Sequence, residues 1–165
     1  MTAMIEQTHY RTVMGHLPTG VVAVSAILPD TAQPWGMIVG TFQSLSLGPA
    51  LVSFSVAHTS TSWPRLRTAG QLCASVLGVG QKDVCKALSG KNPDKFAYVD
   101  WRLSPGGSPR VTGAHAWIDC QVVHEFDGGD HVIVVAEVTA MDGGDGEPLV
   151  FHKGQLGGYR QPIAV

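Results

Sequence analysis

The chain has 165 residues, of which 44% are apolar and 15% charged, with 20 glycines, 10 prolines and a formal net charge of −2. That size holds one domain, expected over residues 1–165, with a core of its own. The balance excludes a disordered tail, a long coiled coil and the basic footprint of a nucleic-acid binder. A weakly charged surface also suits a chain that hides part of itself in a dimer.

Residues 1–20 carry Glu6 and Arg11 and no apolar h-region, so they do not read as a signal peptide. No apolar run reaches the ~18 residues of a membrane helix. The expectation is a soluble, cytoplasmic protein without a membrane partner. Its three cysteines, Cys73, Cys85 and Cys120, form no CxxC and read as reduced, buried thiols.

In chain order, Tyr10, Val13, Met14 and Leu17 make the stripe of a short amphipathic helix, with Gly15 and Pro18 at its end. Gly20 to Leu28 is rich in β-branched residues and reads as a buried strand. Trp35 to Phe42 is a second strand, with Gly36 and Gly40 inside it, and Leu51 to Val56 is a third. The hydroxyl cluster Thr59 to Ser62 followed by Trp63-Pro64 predicts a capped helix stopped at Gly70. Cys73 to Leu77 is a short strand, and Gln81 to Leu88 a helix ended by Gly90. Gly90 to Gly113 reads as loop. Ala114 to Glu125 and His131 to Met141 are long strands joined through Asp127–Asp130. Residues 142–148 read as a flexible tip before a last strand, Leu149 to His152. Six or seven short strands and two or three short helices, punctuated by turns, predict an all-β antiparallel barrel or sandwich.

No P-loop, complete dinucleotide fingerprint or nucleophile elbow occurs. The seven histidines include no HxH or HxxxH pair, so no metal site is expected.

Read in order, several segments resemble the short-chain flavin reductase family, the reductase partners of two-component flavin-dependent monooxygenases. They are Met14-Gly15 with Pro18 to Val21, Gly36-Met37, Thr41 to Leu47 with Pro49, and Val76-Leu77 with Gln81. Lys95-Phe96, Trp101, Gly113-Ala114 with Ala116 to Cys120, Gly129 to His131 and Pro148 to Gly154 complete the set. The resemblance implies a homodimeric Greek-key split barrel that binds FMN or FAD. It implies hydride transfer from NADH or NADPH to the flavin, which then serves a separate oxygenase.

By the same resemblance, Gly36, Met37, Ile38, Gly40 and Thr41 would line the flavin ring and ribityl chain. Ser55, Val56 and Ala57 would flank the ring, Thr61 and Ser62 would meet the phosphate, and Ala87 and Leu88 would touch the flavin again. His131 would sit beside the reacting rings as the catalytic residue. Phe151, His152, Lys153 and Gly154 match the nicotinamide-dinucleotide segment. An arginine is common in the family where Thr61 and Ala87 stand. Its absence removes charge-assisted phosphate bonds and leaves an alternative, a barrel reused for small-molecule binding or non-redox chemistry.

Each residue also has a plainer reading. Gly36 and Gly40 serve as bulge glycines in a curved strand, and the cluster at 59–62 as a helix cap. His131 beside Asp130 is an exposed hairpin residue, and His152 and Lys153 end a solvated strand. Trp101 and Trp117 are core or interface anchors.

Overall fold

A computed structural model describes residues 4–159; the ends of the expected 1–165 domain lie outside the described residues. The chain folds as α1 (Gln7–Met14), β1 (Thr19–Gly20), β2 (Val22–Ile27), β3 (Pro34–Val39), β4 (Gln43–Leu47), β5 (Ala50–Ala57) and α2 (Trp63–Leu66). It continues through β6 (Gln71–Val76), a 3-10 turn at Val79–Gln81, α3 (Lys82–Ser89), β7 (Trp101–Leu103), β8 (Pro109–Val111) and β9 (Ala116–Asp127). It closes with β10 (His131–Gly143), β11 (Val150–His152) and β12 (Gln155–Gly157). A seven-stranded antiparallel sheet runs in the order β3-β2-β6-β9-β10-β5-β4, flanked by a three-stranded sheet, β1-β11-β12, and the β7-β8 hairpin. The described strands outnumber the six or seven expected.

The reason β2 is a continuous apolar run is visible in its two faces. Val22, Val24, Ala26 and Leu28 enter one core cluster with Phe54, Trp63, Leu66, Leu72 and Val134. Val21 and Ala23 point the other way, into a second cluster with Leu77, Leu88, Phe96, Val111 and Leu149. The period of two thus sorts one strand between two cores. Each fully buried Leu or Phe contributes about 1.5–3 kcal/mol. Ser25, the polar interruption, is buried but donates its hydroxyl to Pro109 O at 2.6 Å. Helix α3 closes the second core with Cys85 and Leu88, one turn apart.

Four local expectations change. Residues 90–113 are not all loop: Trp101–Leu103 pairs antiparallel with Pro109–Val111 around the Ser-Pro-Gly-Gly-Ser turn. Gln43–Leu47 is a strand of its own, paired to β5 with a bulge at Ser44/Ser46. Segment 142–148 is pinned rather than free: β10 extends to Gly143, Gly144 N–H donates to His115 O, and Val79 N–H donates to Glu147 O. Helix α2 is a single turn whose N-cap Ser62 makes no capping bond; Ser60 Oγ accepts from Trp63 N–H instead.

The three cysteines are free and buried, as expected. No described helix is long and apolar enough to cross a membrane. The apolar stripe at α1, by contrast, is not buried: Tyr10, Val13, Met14 and Leu17 are all exposed.

Candidate active site

The long β9–β10 hairpin turns through Gly128–Asp130, with Gly129 at φ +83° and Gly128 N–H donating to His131 O. Pairing of β10 with β5 sets His131 opposite Ala57 and Ile133 opposite Ser55. The chain leaving β3 then brings Thr41 onto β5. Its hydroxyl accepts from Ser55 N–H at 2.8 Å and donates to Ser55 O at 3.2 Å. These contacts gather Thr41, Ser55 and His131, three of the residues singled out by sequence, around a groove of about 620 Å³. Tyr10 and Arg11 of α1 also line it. The volume lies in the range of small-molecule sites.

His131 is half-buried and its Nδ1 lies 2.6 Å from Asp130 Oδ1. This hydrogen bond, with the imidazole's charge and that of His58, holds the Asp130 carboxyl below the usual carboxylate range. Asp130 Oδ1 accepts from His131 Nδ1, which leaves Nε2 outside that bond.

A second, apolar slot of about 350 Å³ lies where Ile38 and Gly40 of the β3 end meet Phe151, with Thr19, Cys85 and Leu156. A Cβ on Gly40 would stand 3.0 Å from Thr19 Oγ1, so glycine is what lets the two backbones approach. Thr19 Oγ1 is buried without a hydrogen-bond partner.

The other singled-out residues are dispersed. Gly36 is buried under the Phe96 ring, 3.1 Å from where its Cβ would be, and Met37 packs on the first core. Val56 is 3% exposed and lines, with Ala57, a small cleft of about 140 Å³ beside Trp63 and His58. Thr61 is exposed, whereas Ser62 is buried and its hydroxyl accepts from Lys95 Nζ at 3.0 Å. Leu88 is fully buried, its carbonyl accepting from Lys95 Nζ at 2.8 Å, and Ala87 packs on the second core. Lys153 and Gly154 line a separate groove against α1, and His152 is exposed. Trp101 meets Phe96 edge-on, and Trp117 lies half-buried under the Arg110 guanidinium.

Arg11, Tyr10, Thr19 and Lys95 shape these sites and were not assigned from sequence. Arg11 and Tyr10 sit in a helix read only for its apolar stripe. Lys95 follows the polar run Lys91 to Asp94 and gives no local signal of burial, and its partner Ser62 is distant in sequence.

Comparison with known proteins bears on the same residues. The flavin reductase like domain model matches residues 14–160. A flavin reductase from Pseudomonas putida is 42% identical over 156 residues, covering 94% of this chain and 91% of that protein. The reductase subunit HsaB of a flavin-dependent monooxygenase from Mycobacterium tuberculosis is 38% identical over 161 residues, covering 96% and 85%. Among solved structures, nitrilotriacetate monooxygenase component B from Mycobacterium thermoresistibile superposes with a TM-score of 0.89 at 34% identity, covering 96% and 92%. The Streptomyces globisporus NADH:FAD oxidoreductase SgcE6 in complex with NAD and FAD fragments gives 0.85 at 30%, covering 96% and 93%. The matched span takes in both core clusters, the His131 hairpin and the Thr41–Ser55 clip, and the chain belongs to the flavin reductase family.

Proposed function

We propose that the protein is an NAD(P)H:flavin oxidoreductase that reduces FMN or FAD for a separate flavin-dependent oxygenase. The observation that carries this reading is the convergence of Thr41, Ser55 and His131 on one groove. The bound substrates supply the chemistry, transfer of a hydride from nicotinamide C4 to flavin N5 between stacked rings. The chain's task is to hold two flat molecules in register and keep water away.

The residues present fit that task. Thr19 Oγ1, buried and unpartnered, offers a hydrogen bond to a polar ring edge entering the apolar slot. Ile38, Phe151 and Leu156 provide an apolar surface for such a ring. His131, held by Asp130, presents Nε2 to a carboxamide or ring group in the groove.

The exposed stripe of α1, together with Leu45 and the fully exposed Leu47 of β4, supports a homodimer that covers these side chains. A closed split barrel and a cytoplasmic setting belong to the same reading. The deciding experiment follows oxidation of NADH and NADPH by purified protein with added FMN, FAD or riboflavin. Turnover with at least one pairing is expected; none with any pairing overturns the proposal.

One observation favours a second reading, a small-molecule-binding barrel without flavin reduction: Lys95 occupies the Ser62 hydroxyl expected at the flavin phosphate. Flavin retained through purification would overturn it.

A further inference from the structure

Arg102 of β7 stands directly opposite Arg110 of β8. Opposed residues share one face of a β-ribbon, and like charges in that position repel. Among the described residues neither arginine enters an ion pair. The Arg110 guanidinium lies over the Trp117 ring instead, 4.8 Å from its centroid. Trp117 in turn stands opposite Asp142 across β9 and β10. Two cations, an indole and a carboxylate thus follow one another from strand to strand, and all four line one groove of about 390 Å³.

His115 and Asp145 line the same groove, and its carboxylate side is held by backbone. Gly144 N–H donates to His115 O at 2.7 Å, and a Cβ on Gly146 would run into the His115 ring. Glycine is therefore what lets this segment close onto the start of β9. Asp142 Oδ1 accepts from Gly143 N–H, which leaves Oδ2 outside that bond. At about 3.3 Å per residue, the length of β10 keeps Asp142 roughly 30 Å from His131, so the groove is separate from the one described above.

We propose that this groove binds a nucleoside monophosphate whose base carries an exocyclic amine. A phosphate monoester is close to doubly charged at neutral pH and answers two guanidiniums, each of which can grip it in two-pronged fashion. The half-exposed indole offers a flat apolar surface to the base, and Asp142 accepts from the amine. A ligand of this kind relieves the repulsion between Arg102 and Arg110 and spans the gap to the carboxylate that neither arginine reaches. The inference does not depend on the flavin reductase reading.

The adenylate halves of NADH and FAD are another source of this chemistry, so the test separates them from the free nucleotide. Binding of AMP, of adenosine, which lacks the phosphate, and of IMP, which lacks the amine, is measured by calorimetry. The proteins are the wild type, Arg102→Ala, Arg110→Ala and Asp142→Ala. Arg102 and Asp142 are exposed, so those two variants should melt like the wild type. The wild type should bind AMP about tenfold or more tighter than adenosine or IMP, and each arginine variant should weaken AMP about tenfold. Asp142→Ala should erase the preference for AMP over IMP. The KM values for NADH and FMN should be the same in Arg102→Ala as in the wild type. A wild type that binds no AMP, or binds adenosine or IMP as tightly, overturns the proposal. So does AMP affinity indifferent to both arginines, or a preference over IMP that survives Asp142→Ala. A raised KM for NADH or FMN in Arg102→Ala overturns it too, because the groove would then belong to a substrate site.

Discussion

His131 Nδ1 lies 2.6 Å from Asp130 Oδ1, so the imidazole facing the groove is steered by the carboxylate preceding it in the hairpin. Because the carboxyl is held below its ordinary range, the bond contributes stability at and above the usual Asp pKa and is lost as the pH falls through the lowered value. The proposed function makes a specific demand on this pair. His131→Ala should raise the nicotinamide KM or lower kcat by about tenfold or more and leave flavin affinity alone. Asp130→Asn should shift the same parameter in the same direction by less, since the ring remains but its orientation loosens. Steady-state kinetics paired with a flavin titration reads both. Unchanged kinetics in His131→Ala would return the residue to a surface role.

Burial pushes the thiols of Cys73 and Cys120 up to about 12, with the neighbouring Asp119 adding to the effect. Cys85 is raised by burial as well. A thiol-specific reagent at pH 8 should therefore leave all three cysteines unmodified in the native protein and titrate all three once it is denatured. The linkage runs one way. With folded-state values above the ordinary 9.0, the stability held by protonated Cys73 and Cys120 is intact below pH 9 and declines from there toward 12. Denaturant midpoints measured across the alkaline range should fall in that window.

Lys95 is 7% exposed and faces no carboxylate partner; Ser62 Oγ and Leu88 O accept from its ammonium, and Trp35 lies 5.3 Å away. It thereby ties the start of α2 to the end of α3. Replacing it by Met fills similar space but leaves the Leu88 carbonyl unpaired in the core, at a cost of about 1–3 kcal/mol. Ser62→Ala should cost less, because Lys95 keeps its bond to Leu88. Urea unfolding of the two variants decides the order. A Lys95→Met variant as stable as the wild type would mean that desolvating the charge, which also pushes its pKa down, cancels what the bonds supply.

How far the sequence carries depends on whether the relevant partner is near or far along the chain. The run from Gly20 to Leu28 announces a buried strand because its apolar residues are contiguous, and the structure explains the contiguity by placing a core on each side. The β9–β10 hairpin is legible for a similar reason, two long β-rich runs around a Gly-Gly turn. Strands β7 and β8 are too short to alternate, and a Pro/Gly-rich turn separates them, so their pairing disappears into apparent loop. Segment 142–148 looks free because its anchors, His115 and Val79, lie elsewhere in the chain. The site divides the same way. Thr41, Ser55 and His131 follow from a family resemblance and do meet at one groove. Arg11 escapes, because what gives it a place at the groove is the nearness of α1 to Thr41, Ser55 and the β9–β10 turn, all distant in sequence.

Glu125 offers the sharpest test of how α2 is held beside the candidate site. One carboxylate oxygen accepts from Trp63 Nε1 at 2.8 Å and the other from Arg67 Nη2 at 2.6 Å. The two bonds differ in value because their surroundings differ. Trp63 is 5% exposed and packs edge-on against Phe54, so its indole N–H has no water to fall back on. The Arg67 side chain is 55% exposed and regains solvent at once. Removing the acceptor with Glu125→Ala should cost about 1–3 kcal/mol, most of it the unpaired indole. Arg67→Ala should cost no more than about 1 kcal/mol. Glu125→Gln keeps an acceptor for Trp63 and gives up the ion pair, so it should resemble Arg67→Ala. Chemical denaturation of the three variants ranks them, and the double variant Glu125→Gln with Arg67→Ala should add little to either single change. If Arg67→Ala instead proves as costly as Glu125→Ala, the ion pair rather than the indole bond anchors α2.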